Sequence, residues 1–122
     1  MAAGQLISIV DDDPSMRAAL ADLIRSFGHD VREFASAEEF LASGELDRFS
    51  LAITDIHMPG MNGFELKYQL GLRHCAVPVI MITARTEPDL EKKAMSSGAA
   101  CFLRKPFPAE TLMDCLEKAL GV

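Results

Sequence analysis

A three-layer α/β fold, with one parallel sheet of five strands between two layers of helices, is what this 122-residue sequence predicts. Three observations carry the expectation. Short apolar runs alternate five times with amphipathic stretches of helical spacing. A parallel connection needs a crossover, which carries a helix and is right-handed, so such alternation covers a parallel sheet on both faces. Four of the runs (Leu6 to Val10, Leu51 to Thr54, Val79 to Ile82, Cys101 to Leu103) lead into the polar residues Asp11-Asp12-Asp13, Asp55, Thr83 and Lys105. A parallel sheet would bring these four clusters out at one edge, where ligands of open α/β sheets bind.

Element by element, Gln5 to Val10 reads as the first strand. Asp13 then supplies an N-cap and Pro14 the first helical position, and Met16, Leu20, Leu23, Ile24 and Phe27 recur at helical spacing until Gly28. Asp30 to Phe34 is a short second strand, and Ser36-Ala37-Glu38-Glu39 matches a capping box opening a helix over Phe40 and Leu41. Ser50 to Thr54 is the third strand. Beyond the Met58-Pro59-Gly60-Met61-Asn62-Gly63 loop, Phe64 to His74 predicts a third helix, whose last turn Gly71 weakens. Pro78 starts the fourth strand, Glu87 to Ser97 forms the fourth helix up to Gly98, Ala100 to Leu103 the fifth strand, and Pro108 to Leu120 the last helix.

This length fits one domain, expected to span residues 1–122, with no room for a second and no output module in view. A charged fraction of 25% and a hydrophobic fraction of 49% match an ordinary soluble domain, and no apolar run approaches a membrane span of ~20 residues. The N-terminus, Met1 to Gln5, lacks the basic start and apolar core of a secretory signal, so a cytoplasmic location is expected. Cys75, Cys101 and Cys115 are odd in number and far apart, which reads as reduced thiols rather than a disulfide framework or zinc site. A net charge of −6 argues against nucleic-acid binding by this chain, since affinity for phosphate backbones needs clustered Lys and Arg.

At the common edge, Asp11, Asp12 and Asp55 would place three carboxylates together, a costly arrangement unless a cation or protons neutralise them. Carboxylates, a carbonyl and waters suit Mg²⁺. Asp13, directly before Pro14, reads better as the helix cap than as a ligand. Asp55, at the end of an apolar strand, can act as a carboxylate nucleophile toward phosphorus, forming an acyl phosphate. Thr83 offers a hydroxyl and Lys105 an ammonium to phosphoryl oxygens; each alone has an ordinary reading, as strand packing or solvated charge, and the signal is their co-occurrence. His57 has two open readings, a solvent-facing loop residue or a side chain overlooking the site, and Phe102 alone reads as core. His29 and His74 read as surface residues, and the seven methionines as core filler.

Val10-Asp11-Asp12, Thr54-Asp55 with Met58-Pro59-Gly60-Met61-Asn62-Gly63, Ile82-Thr83-Ala84, and Phe102-Leu103-Arg104-Lys105-Pro106-Phe107 together resemble the receiver domain of two-component response regulators, over essentially the whole chain. The resemblance implies a flavodoxin-like sheet of order 2-1-3-4-5 and a phosphorylation-dependent switch. It implies that Asp55 takes a phosphoryl group from a phosphohistidine on a sensor histidine kinase or phosphotransfer protein. Asp12, Asp55 and the His57 carbonyl would bind Mg²⁺ directly, and Asp11 through a metal-bound water. Lys105 would pair with the phosphoryl group, Thr83 would swing toward it and Phe102 would turn inward. The Lys105-Pro106 bond would be cis, and the face of helix 4, strand 5 and helix 5 would change partners or dimerise. His57, two residues after the phosphoacceptor, and Arg85, two after the switch threonine, are positions where the family often carries other residues, and both are expected to tune phosphoryl lifetime. A haloacid-dehalogenase-type phosphatase is the nearest rival, but Asp55-Ile56-His57-Met58-Pro59 does not fit its D-x-D-x-[TV] pattern. A degenerate, phosphorylation-independent interaction module is disfavoured because no site residue is missing.

Overall fold

The computed structural model describes residues 4–121. The secretory-signal reading therefore falls mainly on residues outside the described ones. Five parallel strands, β1 (Leu6–Val10), β2 (Asp30–Phe34), β3 (Leu51–Asp55), β4 (Val79–Thr83) and β5 (Cys101–Arg104), form one sheet of order β2-β1-β3-β4-β5. Between and after them lie the helices α1 (Pro14–Ser26), α2 (Ala37–Leu41), α3 (Gly63–Leu72), α4 (Leu90–Ser96) and α5 (Ala109–Leu120), with a 3₁₀ turn at Leu46–Arg48 that the sequence did not announce. The expected fold class holds.

Alternation along the strands divides the core in two, because successive side chains point to opposite faces. Ile7, Ile9, Leu51, Ile53, Ile80, Ile82, Cys101 and Leu103 pack with Leu20, Ala21 and Ile24 of α1 and Leu112 and Leu116 of α5. Val10, Ala52, Val79 and Met81 pack on the opposite face with Phe40, Leu66, Leu70 and Ala94 from α2, α3 and α4. There the rings of Phe34, Phe40 and Phe49 meet with centroids 5.2, 5.4 and 5.9 Å apart, in tilted or edge-on contacts.

Three elements depart from expectation. Helix α4 begins at Leu90 rather than Glu87, because Pro88 disfavours helical backbone at Glu87 and Arg104 holds the Arg85 and Glu87 carbonyls at 3.1 and 2.9 Å. Helix α3 begins at Gly63 and runs through Gly71 to Leu72; His74, at φ 56°, takes the left-handed turn that ends it. Its entry is fixed by a reciprocal capping box, Asn62 with Glu65, that the loop reading passed over. At α2 only half of the expected box forms: Ser36 Oγ accepts from the Glu39 amide, while Glu39 Oε1 accepts from Ala35 N–H instead of from Ser36.

Two smaller readings need correction. His29 is half-buried and its Nδ1 accepts the Gln5 N–H at 3.1 Å. Of the methionines, Met81 is fully buried, but Met95 and Met113 are 44% and 39% exposed on α4 and α5, so core filling describes only some of them. Cys101 is buried, and Cys75 and Cys115 are half-buried free thiols. Burial, then the neighbouring Cys101 thiol, pushes Cys115 up to about 12. Among the described residues no helix is long and apolar enough to cross a membrane.

Candidate functional site

The chain runs from β1 to β2 on one side of the sheet and to β3 on the other, so the strand order switches between β1 and β3. Asp11 follows β1 and Asp55 ends β3, which puts the two carboxylates at the mouth of that crevice. The expected strand ends fall one residue short: Asp55 and Thr83 are themselves the last residues of β3 and β4, and ladder pairing fixes them, Asp55 opposite Ile82 and Thr83 opposite Arg104. Lys105 follows β5, its amide bonded to the Thr83 carbonyl at 2.8 Å.

Asp11, Asp12 and Asp55 each offer a carboxylate oxygen, and these oxygens lie within 4.8 Å of one another. Lys105 Nζ stands 3.1 Å from Asp55 Oδ2 and 3.5 Å from Asp11 Oδ2. The side chains of Lys105 and Asp55 keep only 13% exposure each and that of Asp11 2%, so these charges attract in a setting of reduced screening. Burial raises the Asp11 carboxyl above its ordinary range; the Asp13 amide and Lys105 pull it back, and the Asp55 charge pushes it further up. Asp13 is the cap: its Oδ1 accepts from Ser15 and Met16 amides at 3.0 and 3.3 Å, while its own N–H donates to Asp11 Oδ1 at 2.9 Å.

The lip of the site comes from two loops. After β3, the His57 amide donates to Asp55 Oδ1 at 3.2 Å, and Glu38 on α2 ties the loop down through the Met61 amide at 3.1 Å. After β4, Thr83, with no solvent exposure, accepts from the Arg85 amide at 3.0 Å, and His57 Nδ1 is 3.2 Å from the same hydroxyl oxygen. His57 and Arg85 line one cavity of about 420 Å³ beside the site. Phe102 is half-buried against the α2–α4 face, and the Arg104 guanidinium lies 5.1 Å from its ring centroid. The Lys105-Pro106 peptide is cis.

Sequence reasoning passed over two residues here. Arg17, one turn into α1, donates to the Asp11 carbonyl at 2.7 Å and pairs with Glu33 at 3.5 Å, anchoring the acidic loop. Arg104 stands in sequence only as part of a motif, yet it clamps the loop after β4. Arg17 is visible in sequence only as a basic residue four positions after the cap; its carbonyl partner depends on how the loop turns.

A family profile described as response regulator receiver domain matches residues 7–117. This chain belongs to that family. The receiver domain is 36% identical over 114 residues to Nodulation protein W of Bradyrhizobium diazoefficiens, covering 93% of this chain and 50% of that protein. The chain thus spans about half that relative's length. Among solved structures it resembles FixJ-N at TM-score 0.90 and 33% identity, covering 98% of this chain and 96% of that one. It resembles the chemotaxis protein CheY4 of Vibrio cholerae at TM-score 0.86 and 32% identity, covering 97% of this chain and all of that one. Receiver domains are signalling phosphoacceptors that interact with sensor kinases and phosphotransfer proteins in two-component systems, and they carry an acidic pocket of the kind formed here by Asp11, Asp12 and Asp55.

Proposed function

We propose that this receiver domain, one unit over residues 1–122, takes a phosphoryl group from a phosphohistidine onto Asp55 and uses it to switch the face made by α4, β5 and α5. The observation that carries the reading is the pairing of Asp55 with Lys105 at 3.1 Å inside the acidic cluster at the strand switch. An Asp55 oxygen attacks phosphorus; the new O–P bond forms as the P–N bond to the donor imidazole breaks. Lys105, already beside the nucleophile, exchanges its carboxylate partner for a phosphoryl oxygen, and the Thr83 hydroxyl donates to another. The Thr83 movement frees the Arg85 amide, which loosens the loop that Arg104 joins to Phe102. Two exposed methionines, Met95 and Met113 on α4 and α5, suit a surface that meets a partner or a second copy.

The donor set fits Mg²⁺. Three carboxylate oxygens converge, and Asp12 is exposed, leaving the pocket open for waters and phosphoryl oxygens. Asp12, Asp55 and the His57 carbonyl would hold the ion directly, with Asp11 acting through a bound water. When bound, the ion neutralises charge on the transferring group. Asp11 and Lys105 orient the neighbouring groups meanwhile, and His57 and Arg85 set how long the phosphoryl group survives the domain's own hydrolysis. A cytoplasmic site of action suits a kinase partner, and the net charge of −6 suits a protein rather than nucleic-acid surface.

Incubation with a small acyl-phosphate donor and Mg²⁺ should add one phosphoryl mass to wild type and none to Asp55→Asn, which keeps the side-chain volume but lacks the nucleophile. An Asp55→Asn protein that gained the adduct at the wild-type rate would reject the assignment.

A further inference from the structure

A hydroxyl has one proton to give and two lone pairs to receive. Thr83 is fully buried, and one of its lone pairs is taken by the Arg85 amide at 3.0 Å, a group that can only donate. The hydroxyl proton is therefore available to an acceptor, and His57 Nδ1 lies 3.2 Å away. The His57 backbone is tied to the same site, its N–H bonded to Asp55 Oδ1 at 3.2 Å. The ring thus links the loop after β3 to the end of β4.

We propose that His57 is a positioning residue: in the unphosphorylated domain its Nδ1 accepts the Thr83 hydroxyl proton and so competes with the phosphoryl group for the one donor that must turn toward it. The inference rests on the reading of Asp55 as phosphoacceptor and gives the His57 effect a sign and a route. Engaging a phosphoryl oxygen costs the Thr83–His57 bond, so the histidine holds the switch back. The ring must then carry its proton on Nε2, with the lone pair of Nδ1 turned to Thr83.

The competition is measured at equilibrium with beryllofluoride, an inert mimic of the aspartyl-bound phosphoryl group, by calorimetric titration of the whole chain in the presence of Mg²⁺. His57→Leu removes the acceptor and should bind the mimic roughly fivefold more tightly, the factor for loss of one competing neutral hydrogen bond. His57→Asn, whose amide oxygen can stand near the Nδ1 position, should bind like wild type. In a Thr83→Val background the His57→Leu substitution should change nothing. Equal tightening in the Leu and Asn proteins, no tightening in the Leu protein, or an undiminished effect in the Thr83→Val background would each overturn the proposal while leaving the phosphoacceptor reading intact. No binding of the mimic by wild type, or undiminished binding by Asp55→Asn, would overturn both. Thermal melts by circular dichroism confirm that each variant compared is folded.

Discussion

Burial of Asp11 raises its pKa above the ordinary 3.8, and that shift has a definite consequence for stability. The folded state binds the proton more tightly than the unfolded chain, so this residue favours folding when protonated and costs stability once ionised. Its contribution is present below 3.8 and is lost as pH rises through the higher folded value. In a metal-free buffer, Asp11→Asn should therefore be more stable than wild type at neutral pH, and the gap should shrink as pH falls toward 4 or below. Chemical denaturation of both proteins across that range measures it; a gap that widened on acidification would refute the burial argument. The sequence indicated that acids cluster here. It could not say that Asp11 alone among them is nearly fully enclosed, since that depends on Lys105 reaching in from a strand end 94 residues away.

At the scale of elements, the clearest test lies in two glycines of α3. A Cβ on Gly63 would stand 2.8 Å from the Asp55 carbonyl oxygen and 3.0 Å from Ile56 Cα, both backbone atoms that cannot turn aside. Gly63→Ala should destabilise by about 1–3 kcal/mol and slow phosphorylation, because relief of the clash shifts the end of β3 that presents Asp55. Gly71 has nothing within 4 Å of the position its Cβ would take. Gly71→Ala should leave phosphorylation unchanged and stabilise by roughly 0.5–1 kcal/mol through reduced backbone freedom in the unfolded chain. Urea midpoints and donor-dependent mass gain read both; equal effects of the two substitutions would show that the close approach at Gly63 is unimportant. Helix α3 was expected over Phe64 to His74, but its end was not legible: it stops at Leu72, and His74 takes the left-handed backbone that ends it.

For the molecule as a whole, cation binding should appear as stability. At ten times the dissociation constant of Mg²⁺, wild type should gain about 1.4 kcal/mol by mass action, and Asp12→Asn, lacking one of the three clustered carboxylates, much less. The chain has no Trp and a single Tyr, so circular dichroism melts suit the measurement better than intrinsic fluorescence. Wild-type melts insensitive to Mg²⁺, or shifted equally in Asp12→Asn, would return Asp12 to a role in the loop alone. Asp13 already fills the cap of α1, which removes the competing explanation for Asp12.

Periodicity and turn chemistry were enough to determine five strands, their alternation with helices, the caps at Asp13 and Ser36 and the edge at which the polar clusters emerge, because these depend on residues near one another in sequence. The motifs added the sheet order and the cis Lys105-Pro106 peptide through family resemblance. Tertiary structure alone decided which partners these residues meet. The Glu38 tether to Met61, the Arg104 clamp that delays the start of α4 and the His57–Thr83 contact all join segments that meet only once the sheet is assembled, and the Arg17 hold on the Asp11 carbonyl depends on how the loop after β1 turns. Side-chain hydrogen bonds of this kind depend on angles and tenths of an ångström, which no local pattern of residue types encodes.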